Sequence, residues 1–486
     1  MNQNYYQKKP KNRNSKKLFW IISVELIVLL ALFGAYQLFI AKEKTPSVGD
    51  KPNTQDEADE TKDGDNAQTG GETDQADDRT PEEIAADEEQ ERIKKDEQAR
   101  KDLIAEADKL VLSYDYDGAI EMIKTYQGAE GSYEVYSVLK SAIEGYETKK
   151  SELLLYGGSY TSVTQFNHIF FHSLIADNSK AFDGDFEETG YNMYMTTIPE
   201  FEKIIQKMYE DGYVLISIHD VMKEVTKEDG SVVYEPNDQL LLPKGKKPFV
   251  LSQDDVNYYE YMGGDGFASR IVLDENGKPT CEMIMEDGSV VTGAFDMVPI
   301  IDAFVEEHPD FSYKGAKGII ALTGYEGAMG YRTDDPTSPT YEEDQERVKV
   351  VAEALKAEGW EFACHGWGHK NAQIITYEHF ERDTNRWLDE VAPLIGPTDI
   401  YIFPYGVDFE TTMGHYKSDK YLFAKGAGFN FFCGVDKQPW MHLKEDYVRM
   451  TRRPLDGQAM IQFPERLVDL FDPVEIMDPD RPPRKW

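Results

Sequence analysis

Cysteine is scarce in this chain: Cys281, Cys364 and Cys433 are the only three among 486 residues. So few, so widely spaced, they exclude a disulfide framework, and the folded part must rely on its core. Positive charge is short as well. Lys and Arg number 52 against 90 Asp and Glu, a formal net charge of −38. That balance argues against nucleic-acid binding, which needs basic clusters to meet phosphates. Aromatic residues are missing altogether from 43–100, where Asp, Glu, Gln, Thr and Gly crowd together. Such a stretch cannot bury enough apolar surface to offset its chain entropy, so residues 42–95 read as a disordered, self-repelling acidic linker.

Acidic residues are in turn absent from 1–17, which carries Lys8, Lys9, Lys11, Arg13, Lys16 and Lys17. The run that follows, "LFWIISVELIVLLALFGAYQLFIA" at 18–41, holds Glu25 as its one charge. At about 1.5 Å of rise per residue, a helix over it spans a hydrocarbon core of about 30 Å. A cleaved signal peptide has a shorter apolar core and a small-residue cleavage site, and neither is evident here. The expectation is a single-pass transmembrane helix with a basic cytoplasmic tail, the remainder lying outside the cell membrane.

From 96 to 151 apolar residues recur at three- and four-residue intervals, interrupted by Gly128 and Gly131. This pattern predicts a short helical stalk, since one helical hairpin buries no continuous core alone. Beyond it, over 155–486, short β-rich runs alternate with helical ones. "HIFFHSL", "YVLISI", "KPFVLS", "GIIAL", "WEFAC", "DIYIFPYG" and "FNFFCG" read as strands. An α/β domain with so many units predicts a (β/α) barrel. The turn signals "ENGK" and "EDGS" within 265–294 predict an inserted β-hairpin on its rim.

In such a barrel chemistry gathers at the carboxyl ends of the strands. Three polar groups fall there: Asp254 and Asp255 after "KPFVLSQ", His365 and His369 in "EFACHGWGHKN", and Pro404, Tyr405 and Gly406 after "DIYIF". Each alone has an ordinary reading. Paired aspartates cap helices or shape loops, two histidines four apart merely share one face of a turn, and "FPYG" is a turn.

Taken together and in this order, they resemble the motifs of polysaccharide deacetylases of the NodB-homology, carbohydrate-esterase type. "SQDD" is similar to the family's T-F-D-D, "HGWGH" to its H-[ST]-x-x-H and "FPYG" to the end of its R-x-P-[YF]-[GS]. The resemblance covers about 160–460 and implies that fold, with metal-dependent N-deacetylation of an extracellular N-acetylated polysaccharide, a peptidoglycan or exopolysaccharide. It implies Asp254 as general base and Asp255, His365 and His369 as ligands of a divalent metal, zinc being the best match. Two imidazoles and a carboxylate with an open position suit a hydrolytic centre. A backbone N–H near Tyr405 is expected to help hold the oxyanion, with Pro404 lining the substrate groove. His172, in "FFHSL", is similar to a histidine on the first strand of exopolysaccharide de-N-acetylases and is expected, with Arg453, to bind substrate.

Two departures stand out. Ile402 occupies the place of the third motif's arginine, for which Arg452 and Arg453 of "TRRP" are alternative replacements in space. The family's last histidine has no clear counterpart. Trp440 and His442 of "QPWMHL" are placed to wall the acetyl pocket and to supply the acid, though a solvated loop reads as well. Tyr258, Tyr259 and Tyr261 suit either sugar stacking or rim packing. A catalytically degenerate glycan-binding module and a metal-dependent amidase are the competing readings.

Overall fold

The computed structural model describes residues 79–156, 166–410 and 414–483. The expected basic tail and transmembrane span lie outside these residues. Among the described residues no helix is long and apolar enough to cross a membrane.

The first helix, α1, runs over Pro81–Leu112 and so takes in residues 81–95 of the expected linker. Its start is a capping box. The Thr80 hydroxyl accepts from the Glu83 N–H, and the Glu83 carboxylate accepts from the Thr80 N–H at 2.8 Å, with Pro81 opening the first turn. Ion pairs one turn apart, such as Lys101 with Glu97 at 2.7 Å, support a helix whose early turns need no apolar face. Charge density alone hid this helix.

Helices α2 (Tyr116–Lys124) and α3 (Ser137–Ser151) pack beside α1. They form no free-standing stalk. Ala119, Ile123, Leu139 and Ile143 belong to the same apolar cluster as the barrel interior. Tyr114 stacks on Tyr313 with ring centres 6.3 Å apart, and the Lys314 N–H donates to the Ser113 carbonyl at 2.7 Å. A helical hairpin too small to own a core thus borrows one, at the barrel end that precedes the strands.

Nine strands make the main sheet: β1 Asn167–Phe171, β2 Tyr213–Leu215, β3 Lys247–Gln253, β4 Ile319–Leu322, β5 Glu361–Cys364, β6 Ile400–Ile402, β7 Phe431–Val435, β8 Met441–Leu443 and β9 Val448–Pro454. Seven of them close a parallel ring in the order β1, β3, β4, β5, β6, β7, β9. β9 returns to β1 through Arg453 opposite Ile169. β2 lies beside the first half of β3, and β8 adds antiparallel to β9. Alternation divides the side chains. Val250, Ile319, Ala321, Ala363, Ile402, Cys433 and Met450 fill the interior. Leu251, Ile320, Leu322, Phe362 and Tyr401 face outward under helices α4 (Ile198–Glu210), α5 (Met297–Glu307), α6 (Tyr341–Ala357) and α7 (Tyr377–Glu390). The 265–294 excursion is a three-stranded antiparallel sheet of Arg270–Leu273, Pro279–Ile284 and Val290–Gly293.

Candidate metal centre and active site

β3 delivers the two aspartates to the mouth of the barrel. The Asp254 N–H donates to the Phe171 carbonyl at 2.8 Å, continuing the ladder to β1. Asp255 then turns into the left-handed region, with φ 57°. That break sends neighbouring carboxylates in different directions, and strain of this kind in a non-glycine residue persists where the surroundings fix it. Asp254 is buried, and Asp255 is half-buried beside it.

His365 follows β5 directly, buried, its N–H donating to the Leu322 carbonyl at 3.0 Å. Its Nδ1–H donates to the Ile402 carbonyl of β6 at 2.8 Å, which leaves Nε2 as the free lone pair. His369 also lies in the left-handed region, with φ 49°, and its ring is centred 4.9 Å from that of His365. The loop between them is held from α7: both oxygens of Asp383 accept, from the Trp367 N–H and from the Gly368 N–H, each at 2.8 Å. Gly366, where the family motif carries Ser or Thr, has φ +67°, and a Cβ there would stand 3.0 Å from Asp383 Oδ2. The glycine is therefore demanded by the loop's conformation and by Asp383.

One ligating atom each from Asp255, His365 and His369 falls within 4.8 Å of the others. His369 Nε2 lies 3.8 Å from Asp255 Oδ2. Burial raises the Asp255 carboxyl, but His369, His365, His172 and the Tyr259 hydroxyl outweigh it and bring the pKa down to about 2. Burial pushes His369 below its ordinary value. An ionised carboxylate at Asp255 and a His369 ring shifted toward its neutral form suit ligands of a divalent cation. The donor set fits such a metal.

Asp254 stands on the inner side of this group, its Oδ2 3.9 Å from His365 Nε2. Arg452 on β9 reaches it past the intervening β1. Burial raises this carboxyl, yet Arg452 and then His365 more than reverse that, and it is held below the usual carboxylate range. Beneath the pair, Ser252 Oγ meets both the Arg452 guanidinium, at 3.3 Å, and His168 Nε2, at 2.9 Å. Of the two arginine alternatives, Arg452 is the one that reaches Asp254.

The other expected residues divide. His172, at the end of β1, donates from Nδ1 to the Tyr194 carbonyl at 3.0 Å, and its charge acts on both Asp254 and Asp255. The Tyr405 ring is centred 4.5 Å from that of His369, and Pro404 is buried next to Gly366. His442, Trp440 and Arg453 are elsewhere. His442 lies opposite Arg449 in the β8–β9 pair, and Arg449 is three residues from Arg452, so it points to the other face of the sheet. Trp440 packs there too, 5.0 Å from His442, its Nε1–H donating to Asp436 at 3.1 Å. Arg453 faces outward to Asp469 and Asn167, at 2.7 and 2.9 Å. The sequence contained no signal for Asp383, and only the four-residue spacing from Asp255 hinted at Tyr259, whose hydroxyl donates to Asp255 at 2.7 Å.

No known protein family matches the chain, and no curated protein does. Among solved structures it is similar to Streptococcus pyogenes deacetylase PplD in complex with acetate, at 12% identity and TM-score 0.36, over 63% of this chain and 98% of that one. It is also similar to a de-N-acetylase from Aggregatibacter actinomycetemcomitans, at 13% identity and TM-score 0.35, over 61% of this chain and 96% of that one. Function has to be read from the side chains themselves.

Proposed function

We propose that this chain is a metal-dependent deacetylase of the polysaccharide-deacetylase type, hydrolysing the N-acetyl groups of an extracellular glycan. The observation that carries the reading is the pairing of one three-ligand group, Asp255, His365 and His369, with a separate buried carboxylate, Asp254, clamped by Arg452. A structural ion pair does not need a second, open, metal-fitting group beside it.

A divalent ion, zinc by the ligand set, supplies polarisation of the acetyl carbonyl and acidification of water when bound at Asp255, His365 and His369. Asp254 is the general base: it accepts the proton of the attacking water on a lone pair that Arg452 does not use. Arg452 keeps it ionised and fixes its direction. Tyr405 lies against His369, walls the acetamide and, through a main-chain N–H nearby, helps hold the developing oxyanion. His172 supplies the proton to the leaving amine. Its Nδ1–H is committed to the Tyr194 carbonyl, so Nε2 is the atom that takes up a proton and hands it on, the ring donating as the imidazolium. This assignment replaces His442, whose ring lies on the far face of the sheet.

The basic tail and apolar run at 1–41 belong to the same reading, as a membrane anchor that holds the domain beside a polymer outside the cell. Protease added to intact protoplasts should then remove the large domain and leave a small membrane-bound stub. Acetate release from chitin oligomers, poly-N-acetylglucosamine and peptidoglycan, with and without chelator, tests the activity. Chelator-sensitive release supports it. Cleavage of peptides in place of sugars would make the chain an amidase, and glycan binding without release a binding module.

A further inference from the structure

The ladder between β1 and β3 ends beside the candidate centre. Phe171 opposite Gln253 is its last pair, followed by the bond from the Asp254 N–H to the Phe171 carbonyl. His172 is the next residue along, so the ladder does not fix where it goes. Side chains take over. Gln253 Nε2 donates to the His172 carbonyl at 3.3 Å and to Asp296 Oδ1 at 2.7 Å. Because both partners only accept, the amide's orientation is determined. The same Asp296 oxygen accepts from the Leu174 N–H at 3.0 Å and from the Met297 N–H at 2.8 Å. Gln253 and Asp296 thus hold the two peptide units that follow His172.

Both side chains are fully buried. Asp296 is itself anchored: it caps the first turn of α5, where the chain returns from the three-stranded excursion, and its Oδ2 accepts from the Tyr258 hydroxyl at 2.7 Å. Stability does not ask for a glutamine here. Gln253 Oε1 is buried and, among the described residues, has no partner. An unpaired buried acceptor disfavours folding. The motif that "SQDD" resembles has Phe in this place, which would bury no such atom. Asp296 would keep three donors without Gln253, from Leu174, Met297 and Tyr258. What the glutamine adds is the bond to the His172 carbonyl.

We infer that Gln253, anchored by Asp296, is a positioning residue for His172, tying the main chain of the proton donor to the strand that carries the base, Asp254. The inference rests on the deacetylase reading and on His172 as its acid. Gln253 touches no reacting atom. It acts through the His172 backbone, while the Tyr194 carbonyl holds the ring at Nδ1, so that Nε2 meets the leaving amine in one direction. Acid and base then keep a fixed spacing although they stand on different strands. A group needed only in the transition state affects kcat and leaves substrate binding alone.

The test is steady-state acetate release by the full-length chain, on whichever of chitin oligomers, poly-N-acetylglucosamine and peptidoglycan the wild type deacetylates. Gln253→Leu, His172→Asn and the double variant are compared, with metal content and melting temperature measured alongside. Gln253→Leu should lower kcat about 10–100-fold, the scale of a small misplacement of a reacting group. KM and metal content should stay as in the wild type, and the melting temperature should not fall. In the His172→Asn background the same change should cost less than about 3-fold, because no acid is left to place. A wild-type kcat for Gln253→Leu, or a full multiplicative loss in the double variant, would overturn the positioning role and leave the deacetylase reading intact. No acetate released by the wild type from any of the three glycans would instead defeat that reading, and the placing of its acid with it.

Discussion

Arg452 holds both carboxylate oxygens of Asp254, Nη1 to Oδ1 at 2.6 Å and Nη2 to Oδ2 at 2.9 Å, with both side chains buried. The two residues lie 198 positions apart and meet because β9 and β3 both flank β1 in the closed ring. Two parallel bonds fix the plane of the carboxylate as well as its charge.

Arg452→Met should therefore do more than slow the reaction. It leaves Asp254 buried without its partner, and breaking a buried pair costs about 3–5 kcal/mol. Arg452→Lys should recover part of the stability and little of the rate, because one ammonium cannot reproduce the fork. Urea unfolding at neutral pH and acetate release measure the two. An Arg452→Met protein as stable and active as wild type contradicts the pairing's role.

Gly366→Ser brings the chain closer to the family motif and is expected to damage it. A side chain in the left-handed region costs about 1–2 kcal/mol, and the new Cβ would press on Asp383 at 3.0 Å. Melting temperature and metal affinity should both fall. A rise in either means that the loop conformation is not what excludes the hydroxyl residue.

His172 and His442 make opposite predictions. His172→Asn should keep the metal and lower kcat by ~10²–10⁴-fold, the usual range for a positioned proton donor. His442→Asn should leave kcat unchanged. If the two results are exchanged, the acid comes from the outer face of the sheet and the site has been drawn wrongly.

At the opposite end of the barrel, His219 bridges Glu361 at 2.5 Å and Asp399 at 3.0 Å. Burial lowers its pKa, but bonds to Asp399 and Glu361 outweigh this and raise it to about 10. A raised value means the folded protein holds a proton that the unfolded chain releases near pH 6.5. The stabilisation is thus full below about pH 6.5 and is lost as pH climbs toward 10. Melting temperature should decline across that window, and His219→Gln should flatten the decline. Because the ring is partly exposed, the effect should be modest and weaker in high salt.

Much of this was legible in the chain. Alternating strand and helix texture gave the barrel, and the residues that end β3 and β5 gave the candidate metal group, with Tyr405 after β6 beside it, because strand ends converge at one mouth. Helix α1 was obscured because its early turns hold charge rather than an apolar stripe; only Thr80, Pro81 and Glu83 announce it. The hairpin Met222–Thr226 with Val232–Pro236 turns on "EDGS" at 228–231, the same signal that marked the later excursion. His442 misled because proximity in sequence to β9 says nothing about which face of the sheet a side chain takes. A shift of one residue in β-register reverses that face. Choosing between Arg452 and Arg453 needed the same knowledge, since adjacent residues on a strand point oppositely.

The central claim is the division of labour between adjacent aspartates, and one paired measurement reaches it: metal content and acetate release for Asp254→Asn and Asp255→Asn. Asp254→Asn should retain about one divalent ion and lose ~10²–10⁴-fold in rate. Asp255→Asn should lose the ion, with excess metal restoring part of the activity. Metal lost from Asp254→Asn but kept by Asp255→Asn would reverse the roles, and turnover unaffected by either change would contradict the deacetylase account.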